Sequence, residues 1–490
     1  MNSPVEKPER HRDHVDRLRR TPLVESVRGA LGGAAGVWIV GGAVRDAALG
    51  EEVHDLDLVV ANDPQTAARA IAAKLGDHAF ELSAEFQTWR VVSDRYGGQI
   101  DLTPMRGGAI EADLAERDFT IGAVAVPLAD GEAVDPFSGL GDLDSQTLRA
   151  VAESSFRNDP LRLLRAARLA AQLGFEIEPE TAGLARAAAA HASEPAGERQ
   201  LAELRQLLGG PDPIRALRLL DELQVTPVVL SELHALRGVE QGPNHHLDVY
   251  DHTLAVLEHT LEVERGLERF AGERAAEVAA LLDEALADEM SRRTALRFGA
   301  LFHDIGKPAT RAERAGFVGF RGHDKVGAEV IGGICRRLRA SRRLTQHLQG
   351  LALHHLRLGF LIAEMPLPAR RVHEYLRATE PVTVDVTLLT VADRLSARGV
   401  GPIASPGMVE AHLTLAREMI AAGLDWRAEG PPPPLLRGDE LARELGIDRG
   451  PELGRALAEL EAAQYAGEIG DRAGAIEHLR KWTICPEGAA

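Results

Sequence analysis

The chain has 490 residues and a formal net charge of −18, and 45% of its residues are hydrophobic but only 4% aromatic. This length suffices for about three domains, and the acidic balance disfavours broad, non-specific binding of nucleic acid, which depends on Lys and Arg. Two cysteines, Cys335 and Cys485, argue against a disulfide framework or a thiolate metal site. The charged start lacks the apolar segment of a secretory signal, and no run of about 18 apolar residues offers a membrane span. These observations predict a cytoplasmic protein with no membrane partner.

After a charged, flexible leader (residues 1–28), the first predicted element is a buried strand over Val37–Val40, which ends in the turn Gly41-Gly42. A helix is predicted from Val44 to Leu49, closed by the glycine that follows. Two glycines between a strand and a helix let backbone N–H groups approach an anionic ligand, and the helix N-terminus adds favourable partial charge. This segment therefore predicts a phosphate-binding turn.

The next predicted strand, Leu56–Val60, carries two acidic residues at its start, Asp55 and Asp57. Side chains at i and i+2 of a strand lie on the same face, so these two carboxylates are expected to point together. Adjacent carboxylates repel each other unless a cation lies between them. A phosphate-binding turn beside a site for a hard metal ion is what phosphoryl or nucleotidyl transfer requires.

Three further strands are predicted in this α/β unit, over residues 89–92, 99–102 and 121–126. Asp101 lies in a strand expected beside that of Asp57, and it is a candidate third carboxylate. No Walker-type Gly-rich phosphate loop with Lys is present, which argues against a P-loop enzyme.

Beyond about residue 150, the strand patterns largely stop and helices are predicted. Asn158-Asp159-Pro160 is typical of a helix start, with an Asx cap and Pro at the first helical position. Three arginines at i, i+3 and i+6 of this helix share one face, and they favour contact with a nucleotide or RNA: Arg162, Arg165 and Arg168. Further helices are predicted over residues 182–208 and 213–223, and a stiff proline linker at 431–434 precedes a small helical tail over 435–485.

A second group of candidate ligands lies in the helical part of the chain. The adjacent pair His303-Asp304 is preceded by His252 and followed by Asp393, and together these four side chains can coordinate a divalent metal ion. His323 and His354, the first of an adjacent histidine pair, are candidates for additional positions in the same site.

The ordered motifs of the first half resemble the tRNA nucleotidyltransferase/poly(A) polymerase family, in its bacterial (class II) branch. The motifs that carry the resemblance are Gly41-Gly42 with Arg45 and Asp46, Asp55-x-Asp57, Arg117-Asp118-Phe119-Thr120, Asp135-Pro136-x-x-Gly139-x-x-Asp142-Leu143, and Asp159-Pro160-x-Arg162-x-x-Arg165-x-x-Arg168. The order of the set is specific, although no single member is. The likeness extends over nearly the whole chain after the leader.

This resemblance implies that Asp55 and Asp57 hold two Mg²⁺ ions, with Asp101 completing the catalytic cluster, for an in-line displacement at the α-phosphorus of a nucleoside triphosphate. Asp159 and Arg162 match the positions that select the base without a template, where a carboxylate accepts and a guanidinium donates along the Watson–Crick edge. The other implied nucleotide- or primer-binding residues are Gly41, Gly42, Arg45, Asp46, Arg117, Asp118, Arg165 and Arg168.

Two positions depart from the family pattern. Gly122 stands where the family usually has Asn, and Asn158 stands where an acidic residue often precedes Asp159. Neither position is an implied metal ligand, so both bear on the choice of nucleotide rather than on the chemical step.

The second group of ligands resembles the HD phosphohydrolase domain through His252, His303-Asp304 and Asp393. The resemblance implies a divalent transition metal or Mg²⁺ at this site, and it implies hydrolysis of phosphomonoesters, 2′,3′-cyclic phosphates or 2′-nucleotides. A domain that binds metal but serves mainly as a scaffold for RNA stays open as an alternative.

We therefore expect an α+β protein with a polymerase-beta-like nucleotidyltransferase head, an all-helical neck and body, a helical HD domain and a small helical tail. The expected domains are 1–28 leader, 29–150 head, 151–235 neck for RNA and nucleotide, 236–400 HD domain, and 401–490 tail. The expected function is addition of CCA, or part of it, from CTP and ATP to the tRNA 3′ end, with no DNA partner. Three alternatives remain open: a CC- or A-adding specialist, a poly(A) polymerase, and an HD phosphohydrolase that uses the head to bind RNA.

Overall fold

The computed structural model describes residues 13, 15–32, 35–314, 316–401, 404–446 and 448–484. Contacts between residues divide the chain into two units, Met1–Val229 and Leu230–Ala490. The first unit contains a sheet head followed by helices, and the second is almost entirely helical. This is the expected α+β arrangement.

The head is built on a mixed six-stranded sheet with the strand order β3-β4-β5-β2-β1-β6. The pair β2–β5 is parallel, and the other neighbouring pairs are antiparallel. The strands are β1 Val37–Val40, β2 Leu56–Val60, β3 His78–Ser83, β4 Thr88–Ser93, β5 Gly98–Pro104 and β6 Ala125–Pro127. The predicted strands over 37–40, 56–60, 89–92 and 99–102 are thereby confirmed.

The predicted strand over 121–126 is wrong in its first half. Thr120–Gly122 forms a 3-10 turn, and the strand begins only at Ala125. The Thr120 hydroxyl donates a 2.6 Å hydrogen bond to the buried Asp142 carboxylate, which fixes the turn through a residue 22 positions away. An apolar run read locally cannot reveal such a contact.

The interpretation of residues 1–28 as a flexible leader is wrong from residue 15 onward. Pro22–Ala30 is a helix whose first turn is capped by the Thr21 hydroxyl. Its side chains at i, i+1 and i+4 are buried in the head core, as are Val15 and Leu18 before it. Burial of these apolar side chains fixes the inner face of the segment. Residues 1–12 and 14 lie outside the described part of the chain.

The remaining helices of the first unit surround the sheet or follow it. The helix after β1 begins at Gly42, two residues earlier than predicted, and it closes at Gly50 in the left-handed conformation. The helices are Gly42–Leu49, Pro64–Leu75, Ile110–Ala115, Gly139–Asp144, Ser155–Asn158, Arg162–Leu173, Pro179–Ala188, Gly197–Gly209, Pro213–Glu222 and Thr226–Val229. A short parallel pair of strands, Thr147–Leu148 with Glu176–Ile177, lies among them.

Two helix boundaries in this region differ from the prediction. The arginine-bearing helix begins at Arg162 rather than at Pro160, because Asn158 ends a separate helix and the Asp159 carboxylate accepts from the Leu161 amide in the connecting turn. The predicted helix over 182–208 is interrupted between Ala188 and Gly197 by a 3-10 turn and a loop.

The second unit contains the expected HD body. Its helices are Ser231–His234, Val249–Arg265, Leu267–Ala271, Ala275–Asp283, Arg292–Phe302, Lys307–Thr310, His323–Arg337, Arg342–His354, Arg357–Leu361, Ala369–Thr379, Thr383–Ser396, Pro406–Glu429, Gly438–Leu445, Pro451–Tyr465 and Arg472–Ile484. Two short hairpins, Ala285–Ala287 with Met290–Ser291 and Ala312–Arg314 with Phe317–Gly319, interrupt the helical order.

The last three helices form a separate apolar cluster after the prolines at 431–434. Leu441, Ala456 and Leu479 lie at the centre of this cluster and are fully buried. The long helix Pro406–Glu429 precedes the linker and packs on Thr383–Ser396 of the HD body. Within the described residues, every helix is too short or too polar to cross a membrane.

Candidate active sites

Strand register brings the predicted carboxylates of the head together. The parallel pair β2–β5 places Asp57 directly beside Asp101. The antiparallel pair β4–β5 places Arg90 opposite Asp101, so three charged residues form one row across three strands. The Arg90 guanidinium donates two hydrogen bonds of 2.7 Å, one to each oxygen of the Asp101 carboxylate. The prediction that Asp57 and Asp101 lie side by side is confirmed.

Asp55 and the glycine turn complete this end of the sheet. The Asp55 carboxylate accepts a 2.8 Å hydrogen bond from the backbone amide of Gln99 at the start of β5. Gly41 adopts a φ of 69° and a ψ of −133°, a conformation that favours glycine. A Cβ atom at this position would lie 2.9 Å from Oδ2 of Asp57 and 3.3 Å from Nη1 of Arg117. The absence of a side chain therefore leaves space for the Asp57 carboxylate.

The electrostatics of this cluster are those of a cation site. Burial and the neighbouring Asp101 carboxylate raise the pKa of Asp57 above its usual value, and the guanidinium groups of Arg117 and Arg165 offset only part of this effect. A carboxyl group whose pKa is raised by a neighbouring acid becomes easier to ionise when a cation binds. Carboxylate oxygens are the ligands that Mg²⁺ prefers, so the residues present fit this ion.

A cavity of about 480 Å³ opens over the carboxylates. Its charged lining includes Arg45, Asp46, Asp55, Asp57, Arg90, Asp101, Arg165 and Arg168. The carboxylates of Asp55, Asp57 and Asp101 therefore lie on the sheet side of the cavity. Guanidinium groups reach it from helix Gly42–Leu49, called the turn helix below, and from the arginine-bearing helix Arg162–Leu173. This combination suits a polyphosphate bound together with divalent cations.

Arg165 and Arg168 are anchored by acidic partners. Arg165 pairs with Asp118 at 3.1 Å, and Asp118 raises the pKa of Arg165. Arg168 is buried and donates a 2.7 Å hydrogen bond to Glu203, which is also buried, on helix Gly197–Gly209. Two of the three arginines predicted to contact nucleotide or RNA are thus held in place by acidic side chains.

Asp159 and Arg162, the predicted base-selecting pair, have different partners in this structure. Asp159 forms a 2.8 Å ion pair with Arg199. The Arg162 guanidinium instead donates to the backbone carbonyls of Glu116 and Arg117, at 2.6 and 3.2 Å. Arg162 thereby braces the turn that carries Asp118. Arg199 was missed by sequence reasoning, because it lies 40 residues from Asp159 in a helix with no local signal of function.

The remaining predicted residues of the head lie at the same end of the sheet. Arg45 donates a 2.7 Å hydrogen bond to Asp46 on the turn helix. Arg117 pairs with Asp113 at 3.2 Å and donates to the Gly122 carbonyl at 3.5 Å.

The two departures from the family pattern have modest local effects. A Cβ atom at Gly122 would lie 3.6 Å from the Asp118 carboxylate, which is ordinary contact. Asn158 donates a 3.2 Å hydrogen bond from its side-chain amide to the Ser154 hydroxyl, which joins the two ends of the short helix Ser155–Asn158.

In the second unit, the predicted HD residues converge on Asp304. Two groups of side chains have ligand atoms close enough for a metal ion, His252 with His303 and Asp393, and Asp304 with His323 and a further histidine, His355. Asp304 is 2% exposed. One of its oxygens lies 3.1 Å from Nε2 of His303, and the other lies 3.3 Å from Nε2 of His323.

Backbone carbonyls fix the orientation of three of these histidine rings. Nδ1 of His303 donates to the Ala300 carbonyl at 2.8 Å, and the rings of His323 and His355 make the same contact with the carbonyl three residues earlier. A proton on Nδ1 leaves Nε2 with a lone pair that is directed at the cluster. Metal-binding histidines are oriented in this way.

Unsatisfied nitrogen atoms test whether the cluster fits a metal ion. Nε2 of His252 and Nε2 of His303 are buried and make no well-directed hydrogen bond among the described residues, although each lies 3.1 Å from a carboxylate oxygen, of Asp393 and Asp304 respectively. Nε2 of His323 lies 3.3 Å from Nε2 of His355, although both rings donate through Nδ1. Lone pairs that face each other in a buried cluster repel unless a proton or a metal ion lies between them. The residues present therefore fit a metal site.

The additional histidine of this site is His355 rather than the predicted His354. Nε2 of His355 lies 3.7 Å from the Asp304 carboxylate, and burial lowers the pKa of His355 to about 4. The His354 ring instead accepts a 2.9 Å hydrogen bond from Arg357 outside the cluster. Consecutive helical residues point about 100° apart, and at this helix end the rotation directs His355 towards Asp304 and His354 away from it.

A cavity of about 330 Å³ adjoins this cluster. Lys307 lies in its wall and donates to the Asp304 carboxylate at 2.6 Å and to Gln241. His245 also lines the cavity, and burial together with the neighbouring His252 lowers its pKa to about 4. A neutral His245 and a cationic Lys307 are therefore available to a ligand of the cluster. Neither was assigned a role from the sequence.

Comparisons with known proteins match both the head and the HD part of the chain. The profile of the Poly A polymerase head domain matches residues 37–149, that of the HD domain matches 249–398, and that of a probable RNA- and SrmB-binding site of polymerase A matches 174–236. The A-adding tRNA nucleotidyltransferase of Deinococcus radiodurans is 35% identical over 472 residues, which cover 95% of this chain and 98% of that protein. The chain belongs to the tRNA nucleotidyltransferase/poly(A) polymerase family, fused to an HD domain. It is an enzyme of the nucleotidyltransferase class.

A second relative of this nucleotidyltransferase is named for the addition of a different nucleotide, and a solved structure at lower identity shows the shared fold. The CC-adding tRNA nucleotidyltransferase of Thermus thermophilus is 35% identical over 454 residues, which cover 90% of the chain and 93% of that protein. The structure of the Thermotoga maritima CCA-adding enzyme complexed with tRNA has a TM-score of 0.56 at 20% identity, over 96% of this chain and 95% of the other. The head and the helical body therefore have the fold of CCA-adding enzymes.

Proposed function

We propose that this nucleotidyltransferase adds C, A or both from CTP and ATP to the 3′ end of tRNA, without a template. The row of Asp57, Asp101 and Arg90 beneath an arginine-lined cavity carries the proposal, because it combines ligands for divalent cations with groups that bind phosphate. Relatives of equal identity are named A-adding and CC-adding, which supports tRNA as the acceptor and leaves the added nucleotide to experiment.

The carboxylates of Asp55, Asp57 and Asp101 would hold two Mg²⁺ ions. When bound, Mg²⁺ lowers the pKa of the attacking 3′-hydroxyl and stabilises the leaving pyrophosphate. The bond from the 3′-oxygen to the α-phosphorus forms, the bond to pyrophosphate breaks, and the hydroxyl proton passes to solvent.

The arginines of the cavity would bind and orient the nucleotide. Arg45 on helix Gly42–Leu49 and Arg165 and Arg168 on helix Arg162–Leu173 line the cavity and would neutralise the triphosphate. Because the Gly41-Gly42 turn carries no side chains, the phosphates can approach the backbone N–H groups at the N-terminus of the turn helix. We also retain Arg117 and Asp118 as residues that position this nucleotide through their contacts with Asp113 and Arg165.

Base selection is assigned to Asp159 and Arg162, with Arg199 as the residue that orients Asp159. A carboxylate held by a guanidinium on one oxygen keeps a defined direction for its other lone pairs, which can accept from the amino group of C or A. The contacts of Arg162 with the turn at Glu116 and Arg117 connect base selection to the loop that carries Asp118.

For the HD domain, we propose metal-dependent hydrolysis of phosphomonoesters, 2′,3′-cyclic phosphates or 2′-nucleotides. The ligand set contains four imidazoles with Asp304 and Asp393, and imidazole favours divalent transition metals over Mg²⁺. A bound metal ion activates water as a nucleophile. Lys307 in the cavity wall would bind the phosphate that is attacked.

The test of nucleotide transfer uses tRNA transcripts that end before the CCA sequence or after its second C, with Mg²⁺ and with CTP and ATP separately and together. Extension of the shorter transcript by three nucleotides with both substrates indicates full CCA addition. Extension by two with CTP and no further growth of either transcript with ATP indicates CC addition, and transfer of ATP to the longer transcript without transfer of CTP to the shorter one indicates A addition. Long tails with ATP alone would replace the proposal by poly(A) synthesis. We expect Asp55→Ala with Asp57→Ala to abolish transfer, while the exposed pair Asp94→Ala with Asp130→Ala retains it.

The test of the HD domain is chelator-sensitive hydrolysis of p-nitrophenyl phosphate, 2′,3′-cyclic AMP and 2′-AMP. We expect His303→Ala to lose this activity and Asp57→Ala to keep it. An HD domain that binds metal but hydrolyses none of the three would support the scaffold alternative.

A further inference from the structure

Asp101 is paired with a cation of the protein itself. Arg90 contacts both of its carboxylate oxygens at 2.7 Å, and this pair is only partly exposed, at 27% for Arg90 and 22% for Asp101. Asp55 and Asp57 have no ion pair of this kind among the described residues. Of the three carboxylates assigned to Mg²⁺, one is therefore already neutralised.

The position of Arg90 in the sheet makes this pairing a consequence of strand register. Arg90 and Asp101 are directly opposite on β4 and β5, so their side chains leave the same face of the sheet. The side chain of Arg90 also lines the 480 Å³ cavity. Its pKa is raised by the hydrogen bonds to Asp101, and the charges of Asp55 and Asp57 contribute in the same direction. Arg90 thus pairs with one acid of the cluster and lines the same cavity as the other two.

We propose that Arg90 is an internal counter-cation that competes with divalent metal ions for Asp101 and is displaced when the metal site fills. This inference rests on the proposed metal-dependent transfer. A guanidinium and two divalent cations on the same three carboxylates repel one another, so binding of the ions weakens the hold of Arg90 on Asp101. The exchange replaces one positive charge by another without exposing a bare cluster of acids.

The displaced guanidinium has a second ligand within the same cavity. Arg90 is fixed at its backbone in β4, and the phosphate-binding arginines Arg45 and Arg165 line the same space. The polyphosphate of the incoming nucleotide arrives together with metal ions and offers oxygens with the geometry that a guanidinium prefers. Arg90 therefore couples the filling of the metal site to the binding of the triphosphate.

The test measures binding of Mn²⁺ to the nucleotide-free protein from the electron paramagnetic resonance signal of free Mn²⁺. Binding that is lost in Asp55→Asn with Asp57→Asn defines the head site and separates it from the HD site. We expect Arg90→Met to tighten Mn²⁺ binding at the head about five- to tenfold, the equivalent of one partly exposed ion pair. Arg90→Lys keeps the charge but loses the two-pronged contact, and we expect a smaller gain.

A control variant and two results that would contradict the proposal complete the Mn²⁺ measurement. Arg106→Met removes an exposed head arginine paired with Glu116, and we expect Mn²⁺ binding to be unchanged. Unchanged or weaker Mn²⁺ binding in Arg90→Met, with a normal circular dichroism spectrum, would show that Arg90 does not compete for Asp101 and would overturn the proposal. Absence of head-site binding in the wild type as well as in every variant would contradict the metal site itself, and with it this proposal.

Discussion

The substitution Gly41→Ala tests whether the position of the Asp57 carboxylate controls nucleotide transfer. The backbone at Gly41 has a positive φ with an extended ψ, so alanine costs about 1–3 kcal/mol in strain. Its Cβ would lie 2.9 Å from Oδ2 of Asp57, closer than such contacts allow, and the carboxylate is the more mobile of the two groups. We expect the Asp57 carboxylate to move away, and a displacement of about 1 Å in a catalytic group costs on the order of 100-fold in rate.

The matched control is Gly76→Ala, which has the same kind of backbone cost without the contact. Gly76 has a φ of 82° at the end of helix Pro64–Leu75, and a Cβ there meets nothing within 4 Å. We expect a loss of about 1–2 kcal/mol in the free energy of unfolding, with kcat/KM for nucleotide transfer to tRNA unchanged.

Two measurements, denaturant unfolding in EDTA and single-turnover transfer to tRNA, are needed for each variant. If Gly41→Ala retains more than one third of wild-type kcat/KM, displacement of the Asp57 carboxylate does not control transfer and the prediction is refuted. It is also refuted if Gly76→Ala loses as much transfer activity as Gly41→Ala, because strain in the head rather than the carboxylate would then be responsible.

Three further predictions follow from the same geometry. Asp57→Asn should raise the melting temperature of the metal-free protein at pH 7, because a raised carboxyl pKa means that ionised Asp57 destabilises the fold. The difference should disappear as the pH falls toward 4, where the carboxyl group of the wild type becomes protonated, and an unchanged melting temperature at pH 7 would contradict this. Arg199→Leu removes the 2.8 Å partner of Asp159, so it should lower kcat/KM for the nucleotide about five- to tenfold and relax discrimination among the four nucleotides. Arg199→Lys should restore part of both, and unaltered discrimination in Arg199→Leu would exclude a positioning role. His355→Ala should lose bound metal and HD hydrolysis whereas His354→Ala retains both, and the reverse result in metal analysis would show that the ligands are misassigned.

The elements of the head could be predicted because their causes are local. The strand over Val37–Val40, the glycine turn and the strand over Leu56–Val60 follow from apolar runs bounded by residues that break regular structure. The sequence predicts that the strand of Asp101 lies beside that of Asp57, and the structure supplies the register that places the two residues opposite each other. The wrong boundaries at Thr120 and Arg162 lie where a long-range contact or a turn overrides the local pattern.

The HD site shows the same division on a helical scaffold. His252, His303, Asp304 and Asp393 could be chosen from the sequence because an adjacent His-Asp pair with distant partners is a recognisable ligand pattern. The choice between His354 and His355 required the rotation of the helix that ends there, which depends on how Leu351 and its neighbours pack.

By itself, the sequence determined which residue types carry the chemistry and in what order, since glycine turns, paired acids and capped helices act over a few residues. Only the tertiary structure decided which charges meet. Arg90 is held on Asp101 by the register of two strands, and Arg199 reaches Asp159 across 40 residues through the packing of helices. Local propensity acts along the chain, whereas ion pairs form wherever burial of the hydrophobic core brings distant side chains together.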